Sequence, residues 1–143
     1  MYELANIRPM RINRGILTGL AVLAFAASLL FLVQAKAILT FFNSLSVSLH
    51  LPLAPVEPGS LARVITVGYL YLLMVLAWRA ARRPDETLTL FFISHGSFGN
   101  GVVAVLLMIF QAPFLVYIIH SIVSFTLGFL AVWLSHRAKR WRR

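Results

Sequence analysis

From Thr87 to His136 the chain runs for fifty residues without an Asp, Glu, Lys or Arg. As one helix at 1.5 Å per residue this stretch would reach about 75 Å, against roughly 30 Å of hydrocarbon in a bilayer. It must therefore fold back as two membrane-crossing helices. The break is predicted at Gln111, Ala112 and Pro113, where a polar residue meets a proline suited to a helix's first turn.

The remaining charges cut the chain in the same way, because a charge at the bilayer centre costs a few kcal/mol on insertion scales. Gly15 to Ala35 is free of charge and long enough to cross. Val64 to Trp78, between Arg63 and Arg79, is short, so both arginines extend toward headgroups on their alkyl stems. Helices are predicted at about 15–36, 61–81, 87–110 and 113–136. The fold class is thus all-α: one integral membrane domain over 1–143, four transmembrane helices in a compact antiparallel bundle.

Residues 37–60 are a separate problem. Ser44, Ser46, Ser48 and His50 alternate with Leu45, Val47, Leu49 and Leu51, a strand period, and Pro52 and Pro55 follow. An open strand cannot cross lipid with its backbone unpaired, so this is expected to be an outer interfacial segment. Its first part, Ile38 to Leu45, reads equally as an extension of the first helix or an interfacial amphipathic turn.

Composition excludes whole classes. The chain is 60% hydrophobic and 12% charged, about half the charge of a soluble domain, with mean hydropathy +0.87, which excludes a soluble enzyme or nucleic-acid-binding domain. Without cysteine there is no disulfide, thiolate metal site or iron–sulfur cluster. The formal charge of +9 is a topology signal. Four spans put Arg8, Arg11, Arg14, Arg79, Arg82, Arg83, Arg137, Lys139, Arg140, Arg142 and Arg143 on one side, leaving Lys36 and Arg63 on the other. The positive-inside rule then places both termini and the central loop in the cytoplasm, the expected membrane being the bacterial inner one. Trp78 and Trp133 fall near that boundary and Tyr117 toward the other. Arg79, Arg82, Arg83, Arg137, Lys139 and Arg140 are expected to meet anionic headgroups, the last three in a basic tail over 137–143. Nucleic acid is not an expected partner. The apolar run before Ala35-Lys36-Ala37 exceeds a signal peptide's core and has a lysine in the supposed cleavage site, so the first helix is expected to be retained.

In lipid, small residues at helical spacing show where backbones approach closely. Ser94, Ser97, Gly101 and Ala104 form such a seam on the third helix; Ser121, Ser124, Gly128, Ala131 and Ser135 form one on the fourth. A weaker seam, Gly15, Gly19, Val22 and Ala26, is expected on the first. The third and fourth helices should make a close hairpin, with a neighbouring subunit able to share its groove.

The polar run from Ser94 to Gly101 contains His95 and Asn100, which are costly in hydrocarbon unless they face protein, water or a ligand. His120 is the other intramembrane histidine. With the turn at Ala112, the two histidines lie roughly 13 Å apart along the axis, too far to share one metal or haem within a subunit. No metal site is expected, and no cofactor is required. Glu3, Glu57, Asp85 and Glu86 all fall outside the helices or at their ends, leaving no membrane carboxylate for ion-coupled transport and no catalytic set. The leading expectation is a non-catalytic accessory or scaffold subunit packing against partner membrane proteins or itself. One alternative is a haem- or chlorophyll-carrying subunit using His95 or His120. Another is a small channel or transporter with a polar path at Ser94, His95, Ser97 and Asn100.

Overall fold

The computed structural model describes residues 2–56, 59–83 and 86–140, with side chains from residue 12 onward except those of 60–63. Among these residues the chain is all-helical: α1 (Tyr2–Ser48), α2 (Ser60–Arg82), α3 (Thr87–Phe110) and α4 (Leu115–Arg140). All four contain a stretch long and apolar enough to cross a membrane: Ile12–Ser48, Val64–Arg82, Thr87–Phe110 and Leu115–Arg140. Helix α1 packs along α2 and α3 along α4; the two hairpins meet more lightly through α2 with α3 and α1 with α4. The core where they meet contains Leu17, Ala24, Leu73, Ala80, Ala81, Leu90, Ile93, Ala131 and Leu134. Much of it is alanine, so the backbones come close.

Helix α1 departs most from expectation. It was expected at about 15–36, with extension through Ile38 to Leu45 as one of two readings; it runs instead from Tyr2 to Ser48, Gln34 leaving helical geometry (φ −122°, ψ 26°) before a second helical stretch. Gln34 lies twenty residues beyond Arg14, about 30 Å, one hydrocarbon thickness. The strand-like alternation over 44–51 gives way to helix through Ser48, where the Ser44 and Ser46 hydroxyls bond back onto carbonyls of their own helix. Thr40 Oγ1 donates to the Lys36 carbonyl at 2.9 Å, Ser44 Oγ to Phe41 at 2.7 Å and Ser46 Oγ to Phe42 at 2.9 Å. The helix closes with His50 in the left-handed region (φ 54°), Leu51 N–H donating to the Ser46 carbonyl at 3.0 Å and His50 N–H to Val47 at 3.2 Å. That is a Schellman closure, and Pro52 beyond it blocks continuation.

The connection then turns back onto α1. The Asn43 amide receives Ala54 N–H at its Oδ1 (2.8 Å) and donates its Nδ2 to the Ala54 carbonyl (2.7 Å), as a strand neighbour would. Asn43→Ala is expected to free residues 51–56 while leaving the four spans intact. Hydrogen exchange at Ala54 should accelerate by about an order of magnitude per 1.4 kcal/mol of lost pairing; unchanged exchange there would show the clamp to be energetically idle.

The seam expected on α1 faces outward: Gly15, Gly19, Val22 and Ala26 are all exposed. The buried stripe is instead Asn13, Leu17, Ala21, Ala24 and Ser28. Helix α4 starts at Leu115 rather than Pro113, after a tight turn in which Phe114 N–H donates to the Ala112 carbonyl at 2.8 Å. It absorbs residues 137–140 of the expected tail, while 141–143 lie outside the described residues.

Candidate functional site: the two faces of helix α3

The polar run of α3 is divided among three directions. Ser94 and Ser97 point into the bundle at 3% and 1% exposure, with Gly101 and Ala104 on the same side. Ser94 Oγ donates to the Phe91 carbonyl at 2.9 Å, and Ser97 Oγ lies 3.4 Å from Tyr69 Oη on α2. Asn100 turns toward α4. Its Nδ2 donates to His120 Nε2 at 2.7 Å and to Ser124 Oγ at 3.3 Å, stitching the hairpin. Interhelical hydrogen bonds in membranes are worth about 0.6 kcal/mol on average. His95, Gly96 and Gly99 face outward. Ser94, His95, Ser97 and Asn100 therefore do not line one common path.

The two small seams face each other within this chain. Ser121, Ser124, Gly128 and Ala131 of α4 are buried, and Ser135 is half-buried. A Cβ at Gly128 would sit 2.8 Å from the Phe98 ring, and one at Gly101 would sit 3.1 Å from the Phe125 ring. Each glycine is thus the socket for an aromatic ring from the opposite helix. Phe98 is fenced in by Phe129 at 5.1 Å between centroids, edge to face. The close hairpin expected from spacing is present, but with both sockets filled internally the seams offer no groove to a neighbouring subunit.

His95 and His120, within the apolar stretches of α3 and α4, differ in what they leave available. The Nε2 atom of His120 accepts from Asn100, and its ring is half-buried in the hairpin. His95 is held by its other nitrogen: Nδ1 lies 3.0 Å from the Phe91 carbonyl. Ser94 Oγ is 3.2 Å from the same nitrogen, and the imidazole stacks on the Phe91 ring at 3.8 Å between centroids. His95 is exposed on the outer face of α3, and its Nε2 has no hydrogen-bond partner among the described residues. At Gly99, one turn on and on the same side, and at Gly96, an added Cβ would meet nothing within 4 Å.

The basic end of the bundle is ordered by aromatic and acidic neighbours. The Arg82 guanidinium lies over Trp78 (5.3 Å to the ring centroid) and Arg137 over Trp133 (5.1 Å), one such stack on α2 and one on α4. Arg79 Nη2 pairs with Glu86 Oε1 at 3.1 Å. Arg83, Lys139 and Arg140 are exposed at the same end.

Two features there and nearby escape sequence reasoning. Asn13 is wholly buried, and neither polar atom of its amide has a partner among the described residues; Glu86 Oε2 is likewise buried without one among them. A lone polar residue between Arg11 and Arg14 gives no sign of this, since its neighbours suggest the membrane surface. The lighter contact between α2 and α3 also leaves a small cleft of about 50 Å³ walled by Leu73, Leu76, Phe92 and Gly96, with Tyr69 and Ser97 at its polar edge. No group of three or more His, Cys, Asp or Glu side chains able to hold a metal ion occurs among the described residues.

No family model matches this chain, and no curated protein or solved structure does either.

Proposed function

We propose that this chain is a non-catalytic accessory subunit that works laterally in the bilayer, through the outer face of α3. The observation that carries this reading is the exposed His95, whose Nε2 has no partner among the described residues, beside the bare backbone of Gly96 and Gly99. A polar atom facing acyl chains is costly, so such a face gains from being covered. The α3–α4 seams, filled from within, leave this as the face with polar chemistry to offer. The distribution of Lys and Arg supports an orientation with both ends in the cytoplasm, and a bacterial inner membrane suits it. The Trp78–Arg82 and Trp133–Arg137 stacks support headgroup contact at that boundary. Nucleic acid has no part in this reading.

A photo-cross-linking residue at Val102, on the His95 side of α3, should give one discrete protein adduct in native membranes. That adduct, either a partner subunit or a second copy of this chain, should co-purify in fixed ratio in mild detergent. The same residue at Val123 on α4 should give lipid adducts only. Lipid adducts from both positions, with a lone monomer in detergent, would overturn the proposal.

A further inference from the structure

We infer that residues 35–48 of α1 form an amphipathic helix seated on phospholipid, lying in the membrane interface opposite the basic end. This rests on α1 crossing the bilayer between Arg14 and Gln34, and it is independent of the α3 face. Length is the first ground. Helices α2, α3 and α4 have 23, 24 and 26 residues, each enough for one crossing, whereas α1 has 47. The crossing that starts at Arg14 is complete at Gln34, where the backbone leaves helical geometry, and Lys36 is the last charge before Glu57. Continued straight, α1 would carry Leu45 about 16 Å past the hydrocarbon edge, beyond a headgroup layer about 5–8 Å deep. Yet Phe41, Leu45, Val47, Leu49 and Leu53 are all exposed, by 40% to 63%. Water is a poor neighbour for such a cluster.

The exposed surface of this stretch is divided lengthwise. Ala35, Leu39 and Ser46 are buried, and Phe42 and Asn43 half-buried, on the side that meets the protein. At about 100° per residue the rest falls into two edges. Lys36, Thr40, Ser44 and Ser48 recur every fourth residue on one, interrupted by Val47 in the last turn; Phe41 and Leu45, with half-buried Ile38, form the other. The Thr40 and Ser44 hydroxyls donate to carbonyls of their own helix, so the polar edge requires no particular partner and suits a hydrated headgroup layer. The apolar edge follows on Leu29, Leu30, Leu32 and Val33, which are exposed on α1 within the crossing. Polar and apolar edges side by side match the two layers of an interface, as in helices that lie in the membrane plane. The pairing of Asn43 with Ala54 ties the returning chain to the same helix, and Leu53 adds to its apolar surface. A lipid-seated helix of this kind sets the depth of the α1–α2 hairpin.

The test is nitroxide depth measurement on the full chain in liposomes of phosphatidylcholine and phosphatidylglycerol. The chain has no cysteine, so Thr40→Cys, Phe41→Cys, Ser44→Cys and Leu45→Cys each carry a single label, all at exposed positions. Power saturation compares collisions with oxygen, which concentrates among acyl chains, and with a water-soluble nickel chelate. The oxygen-to-nickel ratio should be several-fold higher at Phe41→Cys and Leu45→Cys than at Thr40→Cys and Ser44→Cys. Far-UV circular dichroism should be unaltered; where Phe41→Cys lowers helix content, Leu45→Cys alone reports the apolar edge. Nickel access at all four positions would mean that the helix projects into water. Oxygen access at all four would mean that it crosses hydrocarbon, and an apolar edge shielded from both reagents would mean that protein covers it. Each of these three results overturns the inference. Leu30→Cys, within the crossing, should be rich in oxygen collisions; nickel access there would remove the crossing itself, a failure distinct from that of the two edges.

Discussion

Gly128→Leu is expected to unpack the α3–α4 hairpin. A Cβ at this position would already meet two ring atoms of Phe98 at 2.8 Å, closer than real side chains approach, and leucine adds three further carbons in the same direction. Phe98 has little room to retreat, with Phe129 edge-on at 5.1 Å and Phe125 at 6.2 Å. Overpacking of this kind costs about 1–3 kcal/mol and occasionally more, while removing a glycine from a helix returns at most about 1 kcal/mol. A net loss of about 2 kcal/mol or more should appear in detergent-denaturant or steric-trapping titrations. Phe98→Ala in the same chain should recover part of it, since the clash is with that ring; equal losses with and without Phe98 would refute the socket. Gly96→Ala is the contrast. Nothing lies within 4 Å of its added methyl, so it should be neutral or stabilising by up to about 1 kcal/mol.

Asn13→Leu should act in the opposite direction and make the protein more stable. The wild-type side chain is wholly buried, with both amide atoms unpartnered among the described residues. Leaving a buried polar group unsatisfied costs about 1–3 kcal/mol, and leucine replaces the amide at nearly the same size without that cost. A rise of this magnitude in the same titrations is the expected result. A fall would mean that the amide is hydrogen-bonded in the bilayer, and would refute its standing as an uncompensated polar group. Asn13→Ala does not substitute for this experiment, because it adds a cavity beside Leu17 and confounds the two effects.

The spans were legible where charge or a helix breaker marks their edges. Helix α3 occupies 87–110 as predicted, bounded by the Arg-Arg-Pro-Asp-Glu cluster before it and Gln111 after it. The second stretch of α1 was half-legible: extension of the first helix through Ile38 to Leu45 was one of two readings, while the helical state of residues 46–48 was not foreseen. Serine alternating with leucine looks like a strand until the hydroxyls bond back onto their own helix, and only the folded backbone shows that they do.

Rotation of each helix about its axis was harder still. In water an apolar stripe points to the core, but in a chain whose lipid-facing side is as apolar as its interior that cue vanishes. The buried stripe of α1 accordingly runs through Leu17, Ala21 and Ala24, not through Gly15 and Gly19. The candidate site was half-legible for the same reason. His95 and Asn100 stand out as polar residues in an apolar span, yet five residues turn a helix by about 140° beyond a full circle, and they serve different neighbours. Asn100 reaches His120 and Ser124, while His95 faces outward.

By itself, then, the sequence determined that this chain is all-helical, that it carries four stretches able to cross a membrane, and roughly where α2, α3 and α4 begin and end. Charge and length suffice for that, because a bilayer tolerates few charges in its interior and has a definite thickness. Tertiary structure alone decided that α1 passes through a kink at Gln34 to Ser48, that the small seams of α3 and α4 close on each other's phenylalanines, and that His120 is bonded inside while His95 is presented outward. Those outcomes depend on the rotation and register of neighbouring helices, which hydrophobicity cannot set when every face is apolar and only side-chain shape and a few hydrogen bonds distinguish one packing from another.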